Sequence, residues 1–130
     1  MSVEPPFLTE LQLAILRVLW DRSQATAAEV TEALRASRGL AQTTIATILS
    51  RLEKRGVVAH ETAARQFVYR PLLTEAEATR SMVNELTDRL FDGNAAALMA
   101  HLITARQFTR EDLARVKALL AERDGKERNK

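Results

Sequence analysis

No cysteine occurs anywhere in the 130 residues, which excludes disulfides, thiolate metal sites and thiol nucleophiles at once. Histidine is scarce. His60 and His101 are the only two, far apart and without acids at ligand spacing, so no zinc site is expected. Glycine (four residues) and aromatics (5%) are sparse, with no Gly-rich phosphate loop and no aromatic run for stacking single-stranded bases. Neither a Ser/His/Asp order nor paired carboxylates in a Gly-bounded pocket stand out, so the chain does not read as an enzyme and no cofactor is expected. No apolar run approaches the ~18 residues that span a bilayer. The opening Met1-Ser2-Val3-Glu4-Pro5-Pro6 lacks the basic start and apolar core of a signal peptide. The expectation is a soluble cytoplasmic protein without membrane insertion.

What is present is a strongly uneven charge. Residues 35–70 carry seven Lys/Arg (Arg35, Arg38, Arg51, Lys54, Arg55, Arg65, Arg70) against Glu53 and Glu61, a formal +5 in a chain whose total is +2. Local positive charge steers a surface towards phosphates. Within this zone residues 42–52 read as a helix with Ile45, Ile48, Leu49 and Leu52 on one face and threonines and small polar residues on the other. Short hydroxyl side chains let a helix approach base edges closely, so this segment reads as a DNA-reading helix.

At 130 residues and 46% hydrophobic, the chain suffices for one cored domain plus an appended element. Thr9 with Gln12, Thr26 with Glu29 and Thr74 with Glu77 are capping-box patterns that predict helix starts, and Thr109 with Asp112 is a weaker one. A first helix over 10–21 is oily on several sides, with Trp20 expected in the core. A short second helix turns Val30 and Leu34 inward, and a third runs over 42–55 to a left-handed cap at Gly56. The period then changes. Val57-Val58-Ala59-His60-Glu61 and Gln66-Phe67-Val68-Tyr69-Arg70 read as strands of a hairpin, although the turn between them lacks Asn-Gly. Phe67 and Tyr69 are expected to anchor it on the helices. Helix, helix, turn, helix, hairpin is the order of a winged helix-turn-helix, whose third helix enters the major groove.

Beyond Pro71 the pattern is helical over 75–91, 95–104 and 110–122. These helices are too short to enclose a core alone. Their stripes, including Met82, Leu86, Leu90, Leu98, Leu102, Leu113, Val116 and Leu120, need either the winged domain or a second copy of the chain. A homodimer is the better reading, because a two-fold protein can bind two half-sites. The expected organisation is a winged DNA-binding domain over 1–72, a helical dimerisation region over 73–122 and a basic, disordered tail over 123–130. The fold class is mainly α with a small β-hairpin wing.

The order of residues resembles the BlaI/MecI/CopY family of bacterial repressors, which includes the penicillinase repressors. The matching pieces are Leu8-Thr9-Glu10, Val18-Leu19-Trp20, Thr43-Thr44-Ile45-Ala46-Thr47 with Arg51-Leu52 and Lys54-Arg55-Gly56, and Arg65-Gln66-Phe67-Val68-Tyr69. The resemblance implies a homodimeric repressor that sits on a dyad operator in double-stranded DNA, often with TACA and TGTA half-sites. In the penicillinase branch it implies release by cleavage, triggered by a membrane sensor-protease. Where that branch has the scissile Asn-Phe pair, this chain has His101-Leu102. Copper release through a Cys motif is out for a chain without cysteine. Ala41 stands where a Ser cap is usual, and Ala63-Ala64 where the family tends to have Gly before the wing arginine.

The candidate DNA-binding residues are Arg38, Gln42, Thr43, Thr44, Thr47, Ser50, Arg51, Lys54 and Arg65. The threonine hydroxyls suit phosphates or bases and the methyls suit thymine, though threonines near a helix start also simply cap it. Arg51 can reach guanine or phosphate, Lys54 backbone, and Arg65 at the wing tip a phosphate or the minor groove. Gln42 suits adenine or plain capping. Two alternatives stay open: a protein-interaction module whose basic face docks an acidic partner, and a small-molecule-sensing regulator with Met82, Met99 and Phe108 lining a pocket.

Overall fold

The computed structural model describes residues 8–105 and 108–128. Along the chain run α1 (Glu10–Arg22), β1 (Ala25–Thr26), α2 (Ala27–Ala33), α3 (Gln42–Lys54), β2 (Val58–Ala63), β3 (Gln66–Pro71), α4 (Glu75–Phe91), α5 (Ala95–Ala105) and α6 (Arg110–Arg128). Helix starts follow the capping boxes. The hydroxyls of Thr9, Thr26, Thr74 and Thr109 accept the backbone N–H three residues on, and the side chains of Gln12, Glu29, Glu77 and Asp112 accept the N–H of the cap in return. These bonds hold two cap carboxyls below the ordinary carboxylate range: Glu29 chiefly through the Thr26 backbone N–H, Glu77 chiefly through the Thr74 hydroxyl.

Hydrophobic spacing places one core in the winged domain. Ile15, Leu16 and Leu19 of α1, Val30 of α2, Ile45, Leu49 and Leu52 of α3, and Val57 and Val58 at the start of the wing are fully buried. Each contributes roughly 1.5–3 kcal/mol of transfer free energy. At the end of α3, Gly56 adopts φ 78°. Its N–H donates to Glu53 O and that of Val57 to Leu52 O, the paired bonds of a Schellman cap.

The sheet is larger than the hairpin read from sequence. β1 pairs antiparallel with β3 (Ala25 opposite Tyr69, Thr26 opposite Val68), so the order is β1-β3-β2. A two-residue strand is too short to show a period, and Thr26 doubles as the cap of α2. The wing turn holds Ala64 and Arg65 at φ 49° and 65°, between the paired Ala63 and Gln66. A two-residue loop with both central residues left-handed is the type I′ geometry that favours Asn-Gly. A non-glycine residue in that region costs about 1–2 kcal/mol. Ala64→Gly is therefore expected to stabilise the protein by about 1 kcal/mol, measured as a rise in the urea midpoint at unchanged slope. A lower midpoint would show that the turn is not strained.

The chain divides into two compact units between Leu86 and Thr87, inside α4. The reason lies in packing. Trp20 Nε1 donates to Leu73 O at 2.8 Å, Ala78 is buried in the winged-domain core, and Met82 packs against it. Helix α6 continues to Arg128, past the end at 122 expected before the basic tail. In the second unit Gly93, at φ 77°, returns its N–H to Thr87 O, and Asn94 Oδ1 caps α5 by accepting from Ala97 N–H. Among the described residues of this unit no apolar side chain is buried.

Candidate nucleic-acid interface

Helix α3 carries the core on one side and the candidate contacts on the other. Ile45, Leu49 and Leu52 are buried, whereas Gln42, Thr43, Thr44, Thr47, Ser50, Arg51 and Lys54 are all exposed. At 3.6 residues per turn, Thr43, Thr44, Thr47, Ser50, Arg51 and Lys54 share an arc of roughly 120° opposite the core. Gln42 falls outside that arc. It lines a cleft of about 190 Å³ with Ala46 of α3, Ala27 of α2, and Gln66, Phe67 and Tyr69 of the wing. The start of α3 lacks a side-chain cap at Ala41, as the sequence reading anticipated. Thr47 donates its hydroxyl to Thr43 O at 2.9 Å, so its methyl is the group left to face outward.

The remaining candidates lie around this helix. Arg65 sits exposed in the wing turn. Arg38 is not a bare cation: its Nη2 reaches Glu10 Oε1 at 2.9 Å. Glu10 is largely solvated, so the pair is worth under ~1 kcal/mol and can yield to a phosphate. Arg35 pairs with Glu32 on the surface, and Arg55 donates to Gln12.

The wing is joined to α3 by a cluster that sequence reading did not find. The backbone N–H of His60 donates to Glu53 Oε2 at 3.2 Å, and its Nδ1 lies 2.7 Å from both Glu53 carboxylate oxygens. The His60 ring stacks on Phe67, with centroids 4.0 Å apart. Tyr69 is buried beside them. Burial raises its phenol pKa first, and the Glu53 carboxylate adds to the rise. Phe67, expected to anchor the wing as Tyr69 does, is 50% exposed, on the rim of the open cleft it shares with Ala27 and Ala46. The alternation from the buried Val58 to His60 is the one signal that could have pointed the ring inward, where the sequence suggested a strand-surface residue. Which α3 side chain it would meet carried no sequence signal.

The family model described as penicillinase repressor matches residues 8–122. The chain belongs to the penicillinase repressor family. The penicillinase repressor of Bacillus licheniformis is 25% identical over 117 residues, covering 90% of this chain and 91% of that protein. The transcriptional regulator BlaI of Mycobacterium tuberculosis is 34% identical over 98 residues, 74% of this chain and 71% of that protein. Among solved structures, the DNA binding domain of the repressor BlaI is 31% identical with a TM-score of 0.51, covering 59% of this chain and 93% of that one. The family is one of transcriptional repressors and not of enzymes, and the winged helix-turn-helix is its DNA-binding fold. No helix among the described residues is long and apolar enough to cross a membrane.

Proposed function

We propose that this penicillinase-repressor-family regulator acts as a homodimer that reads a dyad operator in double-stranded DNA, with α3 in the major groove and the wing on the flanking backbone. One observation carries the reading: the exposed arc of Thr43, Thr44, Thr47, Ser50, Arg51 and Lys54 lies opposite the buried face of α3. Arg51 is the base reader in this account. The Thr47 methyl packs on a thymine methyl, and Lys54, Arg38 and Arg65 hold phosphates. The dimer is supported by the second unit, whose apolar side chains include Leu90 at 71% and Leu120 at 53% exposure.

Fluorescence-anisotropy titration against the DNA upstream of the chain's own gene and a scrambled duplex, over a salt series, tests this. Saturable binding to the upstream fragment, well above the control and with two protomers per site, is expected. Equal, steeply salt-sensitive binding to both would reduce the interface to a generic basic surface and favour an acidic protein partner. Arg51→Ala is expected to cost about 1–3 kcal/mol on the operator and to relax sequence preference. Arg65→Ala should weaken all duplexes alike and lower the salt slope by about one. If both variants titrate like the parent, the site assignment fails.

Release follows the family's penicillinase branch in this proposal, through a membrane sensor-protease as partner. The His101-Leu102 bond lies inside α5, so cleavage there requires that helix to open first. Small-molecule sensing is the weaker reading. Met82 lines a cleft of about 210 Å³ with Leu13 and Trp20, below the roughly 300–1,000 Å³ usual for ligand pockets.

A further inference from the structure

We propose that Glu53 and His60 form a latch that positions the wing against α3, so that the reach of Arg65 onto the DNA backbone depends on this pair. The inference rests on the proposed operator reading for its consequence, but its geometry stands without DNA. Glu53 belongs to the last turn of α3, the helix that carries Arg51, and His60 to β2. An ionised carboxylate only accepts, so Nδ1 of His60 is a donor, at 2.7 Å from each oxygen. The backbone N–H of the same residue adds a third bond at 3.2 Å. Both side chains are only partly exposed, 34% for Glu53 and 27% for His60, so water competes less for the pair than on an open surface.

The ring of His60 passes the constraint to the second strand by stacking on Phe67. Helix, β2 and β3 are thereby joined through one imidazole. Beyond His60, residues 61–67 are all exposed, and among the described residues no hydrogen bond or ion pair ties them back to the helices. The latch is thus the outermost side-chain tie between β2 and the body of the domain, beside the backbone pairing that holds Val68 of β3 to Thr26. A two-stranded ribbon held only by its own ladder is marginal in water, so the aim of the tip is set where it is last fastened. Glu53 and His60 are positioning residues in this account, since neither needs to touch DNA.

The test uses the full chain and two measurements. In nitrogen-15 relaxation of the DNA-free protein, the amides of Thr62, Ala63 and Arg65 are expected to be as ordered as those of β3. They should become mobile on the picosecond–nanosecond scale in Glu53→Ala and in His60→Ala. Glu53→Gln, which retains an acceptor, should restore much of the order. In a double-mutant cycle on the operator, Arg65→Ala is expected to weaken binding roughly fivefold to tenfold in the parent, the loss of one phosphate contact, and less than about twofold in the Glu53→Ala background. Unchanged wing order in Glu53→Ala and His60→Ala, or a loss from Arg65→Ala in the parent that persists undiminished in the Glu53→Ala background, overturns the latch. A wing that loosens as expected while Arg65→Ala is neutral in the parent upholds the latch as a positioning device for the tip. It overturns the operator contact of Arg65 instead.

Discussion

Leu90→Asp combined with Leu120→Asp is expected to turn the protein into a monomer in sedimentation equilibrium and to weaken dyad-operator binding at least about 100-fold. Both leucines are exposed in the single chain, at 71% and 53%, so an aspartate there changes the stability of one protomer little. In a two-fold dimer each substitution counts twice. Four leucines at roughly 1.5–3 kcal/mol each amount to about 6–12 kcal/mol, comparable to the ~8 kcal/mol that holds a micromolar complex. The operator loss follows from linkage. Two winged domains on one dimer make the second half-site contact intramolecular, and separate protomers forfeit that gain. Affinity for a single half-site should hardly change, since α3 is untouched. A variant that stays dimeric would place the interface elsewhere. A monomer that binds the dyad as tightly as the parent would sink the two-half-site reading.

Leu49→Ala should act on the opposite face of α3 with the opposite signature. Leu49 is fully buried, with Ile45 and Leu52 beside it on the same stripe and Ile15, Leu16 and Leu19 of α1 in the same core. Truncating such a leucine costs about 2–5 kcal/mol, the transfer loss plus the cavity left behind. Domains of this kind have about 5–15 kcal/mol in all, so a large share of the stability goes. The urea midpoint should fall sharply, and operator binding should fall only as far as the folded fraction does. Arg51→Ala is expected to do the reverse, with an unchanged midpoint and altered sequence preference. If Leu49→Ala left the midpoint within ~1 kcal/mol of the parent, the burial of α3 described above would be incorrect.

The local half of the fold was legible from residues alone. Each capping box pairs positions three apart, and each appears in the structure as the reciprocal bonds of Thr9, Thr26, Thr74 and Thr109 with their partners. The division of α3 into an oily and a hydroxyl face, the Gly56 cap and the concentration of cations in residues 35–70 were likewise visible, because helical period, capping and charge count are properties of neighbours along the chain. So was the family, since its matching pieces recur in order along the chain.

Other features depended on residues far apart in sequence. Trp20 meeting Leu73 fastened the segment before α4 to α1. The pairing of Ala25 with Tyr69 added a strand. The approach of His60 to Glu53 joined the wing to α3. The open cleft between the wing and α2 and α3 left Phe67 half in solvent. The sequence by itself determined where helices begin, which face of α3 is polar and what kind of partner its charge suits. Only the tertiary structure decided which elements are fastened to which and where the wing is aimed. A contact between distant residues exists only once the chain has closed the loop between them, and it leaves no periodic mark on the residues it joins.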